Sequence, residues 1–319
     1  MMARRMSSLW RRQGRILAPA DLDGIRLVQC PTGWQLPNGL LRIAAACRNA
    51  SNVSILQVMD CDPAQGMKIV RPPRIEPVAL EAIARGGLAG IGPCDALWDG
   101  AELLLATSSI TLRGRLYDAG IEVMTSRDGG TTFTPPRGLL GPAENGGFPV
   151  SMPCLRRLAG GDWRMWFTAF TEWRPEVQPT PDARYCIRSA RSADGITWTV
   201  DPAPAIARGP GEAGLARPTV LEGPEGLEMW FSARGPYAPE DPSLRRYRLC
   251  HARSDDGTQW QRADDRHGFC NPPAPDDWDG QMQCYPTVLR LADGRQVMLY
   301  CGNGYGAAGF GWASRETQD

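Results

Sequence analysis

Four carboxylates stand just ahead of apolar, strand-like runs: Asp95, Glu144, Glu212 and Asp279. Two carboxyls facing each other, one kept protonated and one ionised, can share general acid and base work, or one can act as a nucleophile. Glu212 precedes an arginine by five residues in Glu212-Ala213-Gly214-Leu215-Ala216-Arg217-Pro218. A guanidinium at Arg217 could grip an anionic or polyhydroxylated ligand in a bidentate fork, or simply pair with Glu212. Asp279 lies beside Trp278 and near Tyr285, aromatics able to stack on a ligand face, although Asp279-Gly280 also reads as a turn. Asp95 reads equally as a strand start, and Glu144-Asn145-Gly146-Gly147 as a plain turn. Arg234, Tyr285, Asn303 and Tyr305 complete the polar set. Asn303 and Tyr305 sit among four glycines between Gly302 and Gly309. Glycine there would let backbone approach a ligand, or let strands crowd an axis. His251 falls in a strand-like run and reads as packed or hydrogen-bonded; His267, in a loop, is a catalytic candidate.

Other chemistries find no support. There is no Walker loop, no strand–GxGxxG–helix unit and no H-E-x-x-H. The only two histidines lie in one short stretch without a nucleophile elbow, so no serine or cysteine triad forms. Ten cysteines are scattered without a C-x-x-C pair, several inside apolar runs, and read as small buried hydrophobes with free thiols. No metal and no cofactor is expected. The 35 Lys+Arg balance 35 Asp+Glu, which argues against a basic nucleic-acid binder or a polybasic membrane-surface protein. Lys68 is the single lysine. No apolar stretch approaches the ~20 residues of a membrane span. The arginine-rich start lacks the apolar core of a secretory signal, so a reducing cytoplasm is expected.

The elements that must hold these residues come from internal repetition. Ser126-Arg127-Asp128-Gly129 leads to Phe133, Ser192-Ala193-Asp194-Gly195 to Trp198, and Ser254-Asp255-Asp256-Gly257 to Trp260, with the first glycines' aspartates 66 and 62 residues apart. Asp-Gly between strand-like runs signals a hairpin turn. Met165-Trp166-Phe167, Met229-Trp230-Phe231 and Met298-Leu299-Tyr300 keep the same spacing, each after a proline-bearing strand start at Pro153, Pro218 or Pro286. Glu102–Ala106 and Leu41–Ala45 are weaker copies. Helical periodicity is confined to Val78–Arg85. The pattern predicts an all-β fold, a five-bladed β-propeller of four-stranded blades. Its last unit lacks a fourth strand, and the segment Gly14–Pro19 is expected to supply it and close the ring. Residues 1–319 then form one domain, with 1–13 flexible or peripheral.

From about Gly146 to Arg315 the chain resembles the propeller superfamily of glycoside hydrolases that holds families 32, 43, 68 and 130. It is most similar to glycosidase-like propeller proteins of polysaccharide gene clusters. The resemblance rests on Ala216–Val220, Met229–Arg234, Tyr247–Ser254, Trp278–Pro286 and, most specifically, Gly302–Gly311. It implies a small-molecule or oligosaccharide ligand at the narrow end of a central funnel. Glu212 would be the acid and Asp95 or Asp279 its partner, with Asn49, Glu144, Arg217, Arg234, Gln281, Tyr285, Asn303 and Tyr305 as binding residues. A carboxyl separation of about 5–5.5 Å would imply retention and about 6.5–9.5 Å inversion. Three departures stand against hydrolysis: Asn49 and Gln281 replace acids of the family pattern, and Ala84-Arg85-Gly86-Gly87 replaces an acidic stretch. An amide cannot donate an acidic proton. A non-hydrolytic sugar-binding propeller, or one turned to other biosynthetic chemistry, is therefore the alternative.

Overall fold

The computed structural model describes residues 9–158, 160–177, 181–223, 225–238, 240–264 and 268–315. His267 lies outside them. The described chain is almost entirely β-structure arranged as antiparallel meanders. The first comprises β2 (Ile25–Gln35), β3 (Leu41–Asn49), β4 (Ser54–Asp62) and β5 (Lys68–Ile75). The second comprises β6 (Gly90–Asp99), β7 (Glu102–Arg113), β8 (Leu116–Ser126) and β9 (Arg137–Leu140). Next come β10 (Val150–Arg157), β11 (Trp163–Arg174), β12 (Asp182–Ser192) and β13 (Thr199–Val200). They are followed by β14 (Gly214–Gly223), β15 (Gly226–Arg234), β16 (Arg248–Ser254) and β17 (Gln261–Arg262). The last has β18 (Cys284–Arg290), β19 (Gln296–Cys301) and β20 (Phe310–Arg315), with β1 (Arg11–Leu17) antiparallel to β20. The first strands pack side by side, β2 on β6, β6 on β10, β10 on β14, β14 on β18, and β18 back on β2. The expected helical turns form α1 (Pro77–Gly86), capped by the Glu76 carboxylate on the Val78 N–H.

Each first strand carries an X-Pro step at one level: Cys30-Pro31, Gly92-Pro93, Met152-Pro153, Arg217-Pro218 and Tyr285-Pro286. At each, the register with the second strand slips, as a β-bulge. Four of the pre-proline residues take φ between 53° and 58°: Cys30, Met152, Arg217 and Tyr285. A left-handed residue before proline is disfavoured twice over and persists only where its surroundings fix it. They do. The Met152, Arg217 and Tyr285 N–H groups donate to hydroxyls of the preceding meander's second strand, Ser108 (2.8 Å), Thr168 (3.1 Å) and Ser232 (2.8 Å). The bulge thus sends a backbone donor sideways into the neighbouring sheet.

The Asp-Gly turns fasten the opposite ends. Asp128, Asp194 and Asp256 each accept two backbone N–H groups of their own loop; these, and at Asp256 above all the Thr258 hydroxyl, hold the carboxyls well below the usual range. Tryptophans of preceding meanders close over two of them: Trp34 Nε1 donates to the Gly129 carbonyl and Trp166 Nε1 to that of Gly257, both at 3.0 Å. Of residues 1–13, expected to be flexible or peripheral, those from 9 onward are described. Trp10 is buried edge-on against Trp230 at 5.7 Å, and the Arg315 guanidinium lies over both rings. One indole, that of Trp10, gives this stretch an apolar surface to bury despite its arginines.

Candidate functional site

The three acids are not brought together. Glu212 accepts Arg262 through both oxygens (2.8 and 3.0 Å), Arg248 at 2.5 Å and the Gly209 N–H at 2.7 Å. These donors outweigh burial and hold its pKa down at about 2, the reverse of what a proton donor needs. Asp95 is buried against the third meander, accepting Leu155 N–H and Arg156 Nη1 through one oxygen, both at 2.7 Å. Asp279 is fully buried. Arg12 forks onto it at 2.9 and 2.6 Å and the Tyr300 hydroxyl donates at 2.7 Å, so it anchors β1. All three carboxyls are consumed in joints between strands.

Arg217 does not pair with Glu212. Its side chain is wholly buried and points across the first strands. It donates to the Pro93 carbonyl (2.7 Å) on β6, the Pro31 carbonyl (3.1 Å) and Thr32 Oγ1 (2.8 Å) on β2, and Thr287 Oγ1 (2.8 Å) on β18. One cation thus ties three first strands to its own. Asn49 caps the β3–β4 turn by accepting Ser51 and Val53 N–H groups. Glu144 caps Gly141 N–H at an exposed turn. Asn303 is a clasp: its Oδ1 accepts the Gln281 and Met282 N–H groups and its Nδ2 donates to the Asp277 carbonyl. Gln281 enters that clasp through its backbone, with its residue exposed.

Three nominated residues do converge. Arg234, nearly buried at the end of β15, pairs with Asp182 at 2.8 Å, donates Nε to Tyr185 Oη and lies 4.9 Å over that ring. The Tyr185 and Tyr247 hydroxyls are in contact, and Tyr247 meets the rings of Tyr285 (5.2 Å) and Tyr305 (5.9 Å). On the other side, Tyr185 packs on Phe170 (4.9 Å), and Phe170 on Tyr117 (5.3 Å) and Trp173 (5.4 Å). This is a continuous aromatic wall drawn from β8, β11, β12, β18 and the loops at their shared end, with Phe170, Tyr185, Tyr247 and Tyr285 buried in the core and Tyr117, Trp173 and Tyr305 half-buried at its rim. Burial pushes the Tyr247 and Tyr285 phenols well above their usual range, so they stay neutral donors and acceptors. Asp182, bound also by Arg184, is held below the usual carboxylate range despite its burial, chiefly by Arg234.

Tyr117, Phe170, Trp173, Asp182, Tyr185 and Tyr247 escaped the sequence reading. A signal existed. Tyr185 and Tyr247 are 62 residues apart and each stands seven residues before the serine of its Asp-Gly turn. The repeat used to find the strands therefore also marks them. Among the described residues two carboxyls are lifted by burial, Glu76 in its capping role and Glu122 on β8, whose Oε2 is buried without a hydrogen-bond partner. Also among them, no helix is long and apolar enough to cross a membrane and no His/Cys/Asp/Glu group could hold a metal ion.

The fold is similar to that of a solved glycoside hydrolase, with TM-score 0.68 and 14% identity, covering 97% of this chain and 92% of that one. It is also similar to a β-1,2-mannobiose phosphorylase from Listeria innocua, with TM-score 0.63 and 11% identity over 96% and 95% of the two chains. An α-L-arabinofuranosidase from Podospora anserina, solved in complex with cellotriose, gives TM-score 0.62 and 12% identity over 96% and 95%. By fold the chain is thus an all-β protein similar to these propellers. No family model matches it. It belongs to the family of the uncharacterized protein MT1551 of Mycobacterium tuberculosis (strain CDC 1551 / Oshkosh), with 30% identity over 319 residues, 97% of this chain and 99% of the relative. Rv1502 of strain ATCC 25618 / H37Rv matches at the same identity and coverage.

Proposed function

We propose that the meanders are the blades of a single five-bladed propeller closed by β1, and that its mouth binds a sugar ligand without two-carboxylate hydrolysis. Blade count and closure are supported by the β1–β20 pairing and the packing of β18 on β2. The ligand class is supported by the half-buried rim of the aromatic wall, Tyr117, Trp173 and Tyr305, since ring faces stack on the apolar face of a pyranose. The likeness to sugar-processing propellers points the same way. The observation that carries the non-hydrolytic reading is the fate of Glu212, Asp95 and Asp279. A retaining or inverting pair needs two carboxyls facing one bond, one raised in pKa. Here each is spent on arginines or backbone. Ten free thiols suit a reducing compartment, in keeping with a cytoplasmic site of action.

Hydrolysis is a second reading because Glu122 is raised by burial and its Oε2 is unpartnered. Calorimetry and reducing-sugar release on one oligosaccharide panel separate the two. Binding without release, weakened at least tenfold in Trp173→Ala, supports the binder. Release that disappears in Glu122→Gln would establish the enzyme instead.

A further inference from the structure

Charge at the mouth narrows the ligand. Arg234 is neutralised by Asp182, but two other guanidiniums near the wall are not neutralised by any carboxylate among the described residues. Arg48, at the end of β3, is half-buried; its Nε donates to Ser54 Oγ at 3.1 Å, a neutral partner. Its field, with that of Arg234, reaches the Tyr117 phenol. Arg245, in the loop before β16, is half-buried too; its guanidinium lies 5.3 Å from the Tyr237 ring and its carbonyl accepts the Tyr305 hydroxyl at 3.0 Å. Its field and that of Arg234 reach the Tyr305 phenol. The contrast with the rest of the molecule is informative. Elsewhere several buried or half-buried guanidiniums face carboxylates, Arg12 on Asp279, Arg42 on Asp60, Arg156 on Asp95 and Arg315 on Glu228, whereas Arg188 and Arg208 are bonded to amide or carbonyl oxygens. Arg217, at the axis, is held through Nη1 and Nη2 by carbonyls and hydroxyls. A half-buried cation without a counter-charge is costly in the empty site and attracts an anion into it.

We propose that the sugar this mouth takes is acidic, bearing a carboxylate or phosphate that Arg48 and Arg245 neutralise while the aromatic wall receives the ring. The inference rests on the sugar-binding reading above and adds the charge class. A planar guanidinium forks onto either anion, so the shared chemistry is that of an oxyanion. Tyr305, whose hydroxyl reaches the Arg245 carbonyl, is a neutral neighbour that does not repel the anion. Lysine would not serve as well, since its point charge is more strongly hydrated.

The test titrates full-length protein with glucuronate, glucose and inorganic phosphate, followed by the arginine Nε–Hε resonances and tryptophan fluorescence. Glucuronate is expected to bind at least tenfold tighter than glucose and to shift Arg48 and Arg245. The Arg48→Gln/Arg245→Gln double variant should close the gap, while Arg48→Lys retains part of it; thermal unfolding checks that both are folded. Phosphate that competes with glucuronate identifies a general oxyanion site, and phosphate that fails to compete a carboxylate-specific one. Equal affinity for glucose and glucuronate, or a gap that survives in the folded double variant, overturns the acidic ligand and leaves sugar binding standing. No response to either sugar overturns both readings.

Discussion

Arg217 gives the sharpest discrimination between a ligand residue and a structural one. Its guanidinium contacts four strong acceptors on β2, β6 and β18 in the buried centre. In Arg217→Ala the Pro31 carbonyl keeps the Thr287 hydroxyl at 2.8 Å, but the Pro93 carbonyl loses its arginine donor. A buried acceptor left without its donor costs about 1–3 kcal/mol. Charge-assisted bonds and lost packing add to this, while relief of guanidinium desolvation subtracts, for a net loss of about 3–5 kcal/mol. Arg217→Met refills most of the space and should lose less, about 1–3 kcal/mol. Urea unfolding followed by tryptophan fluorescence, with sugar binding measured on the same samples, is the assay. An Arg217→Ala protein within ~1 kcal/mol of wild type that has lost sugar binding would refute the structural assignment and return Arg217 to the ligand.

The Glu212 carboxyl, held at about 2 against 4.5 unperturbed, contributes stability that is fully present above pH 4.5 and is lost as pH falls towards 2. The depression corresponds to about 3 kcal/mol, so Glu212→Gln should flatten the acid limb of a urea-stability profile in that window. Asp279→Asn should loosen β1, since Arg12 loses its charged partner, and limited proteolysis should then cut near residue 18 while the rest stays protected. Ellman's reagent should react quickly with one thiol, Cys270, because the other nine are buried, and with ten in denaturant. Burial raises the Cys47, Cys61 and Cys154 thiols to about 12, which slows them further.

The scaffold was legible because strands, turns and packing tryptophans repeat with one period, and repetition amplifies a weak local signal. Even there two of the X-Pro steps, Cys30-Pro31 and Gly92-Pro93, were passed over, because their flanking sequences diverge although the bulge persists. The site was harder. A carboxylate ahead of a strand looks the same in one dimension whether it faces a ligand or an arginine from a neighbouring sheet. Glu212 meets Arg262 fifty residues on, Asp95 meets Arg156, and Asp279 meets Arg12 from the far end of the chain. With 34 arginines available, such partners were abundant and their choice was set by topology. Arg234, Tyr285 and Tyr305, which do lie in one cluster, stand where backbone geometry and sequence pattern coincide.

The pairing of β1 with β20 sets an order of events during synthesis and refolding. Arg12 leaves the ribosome well before Asp279, its partner, which is 267 residues downstream. Until then the first strand has no sheet to join, and its tryptophan and arginines must be kept from other edges. Each doubling of the loop to be closed adds only about 0.6 kcal/mol, so the equilibrium penalty is modest. The kinetic penalty is larger, because long-range β pairing slows folding. Docking of the first strand on β20 is thus the natural last step.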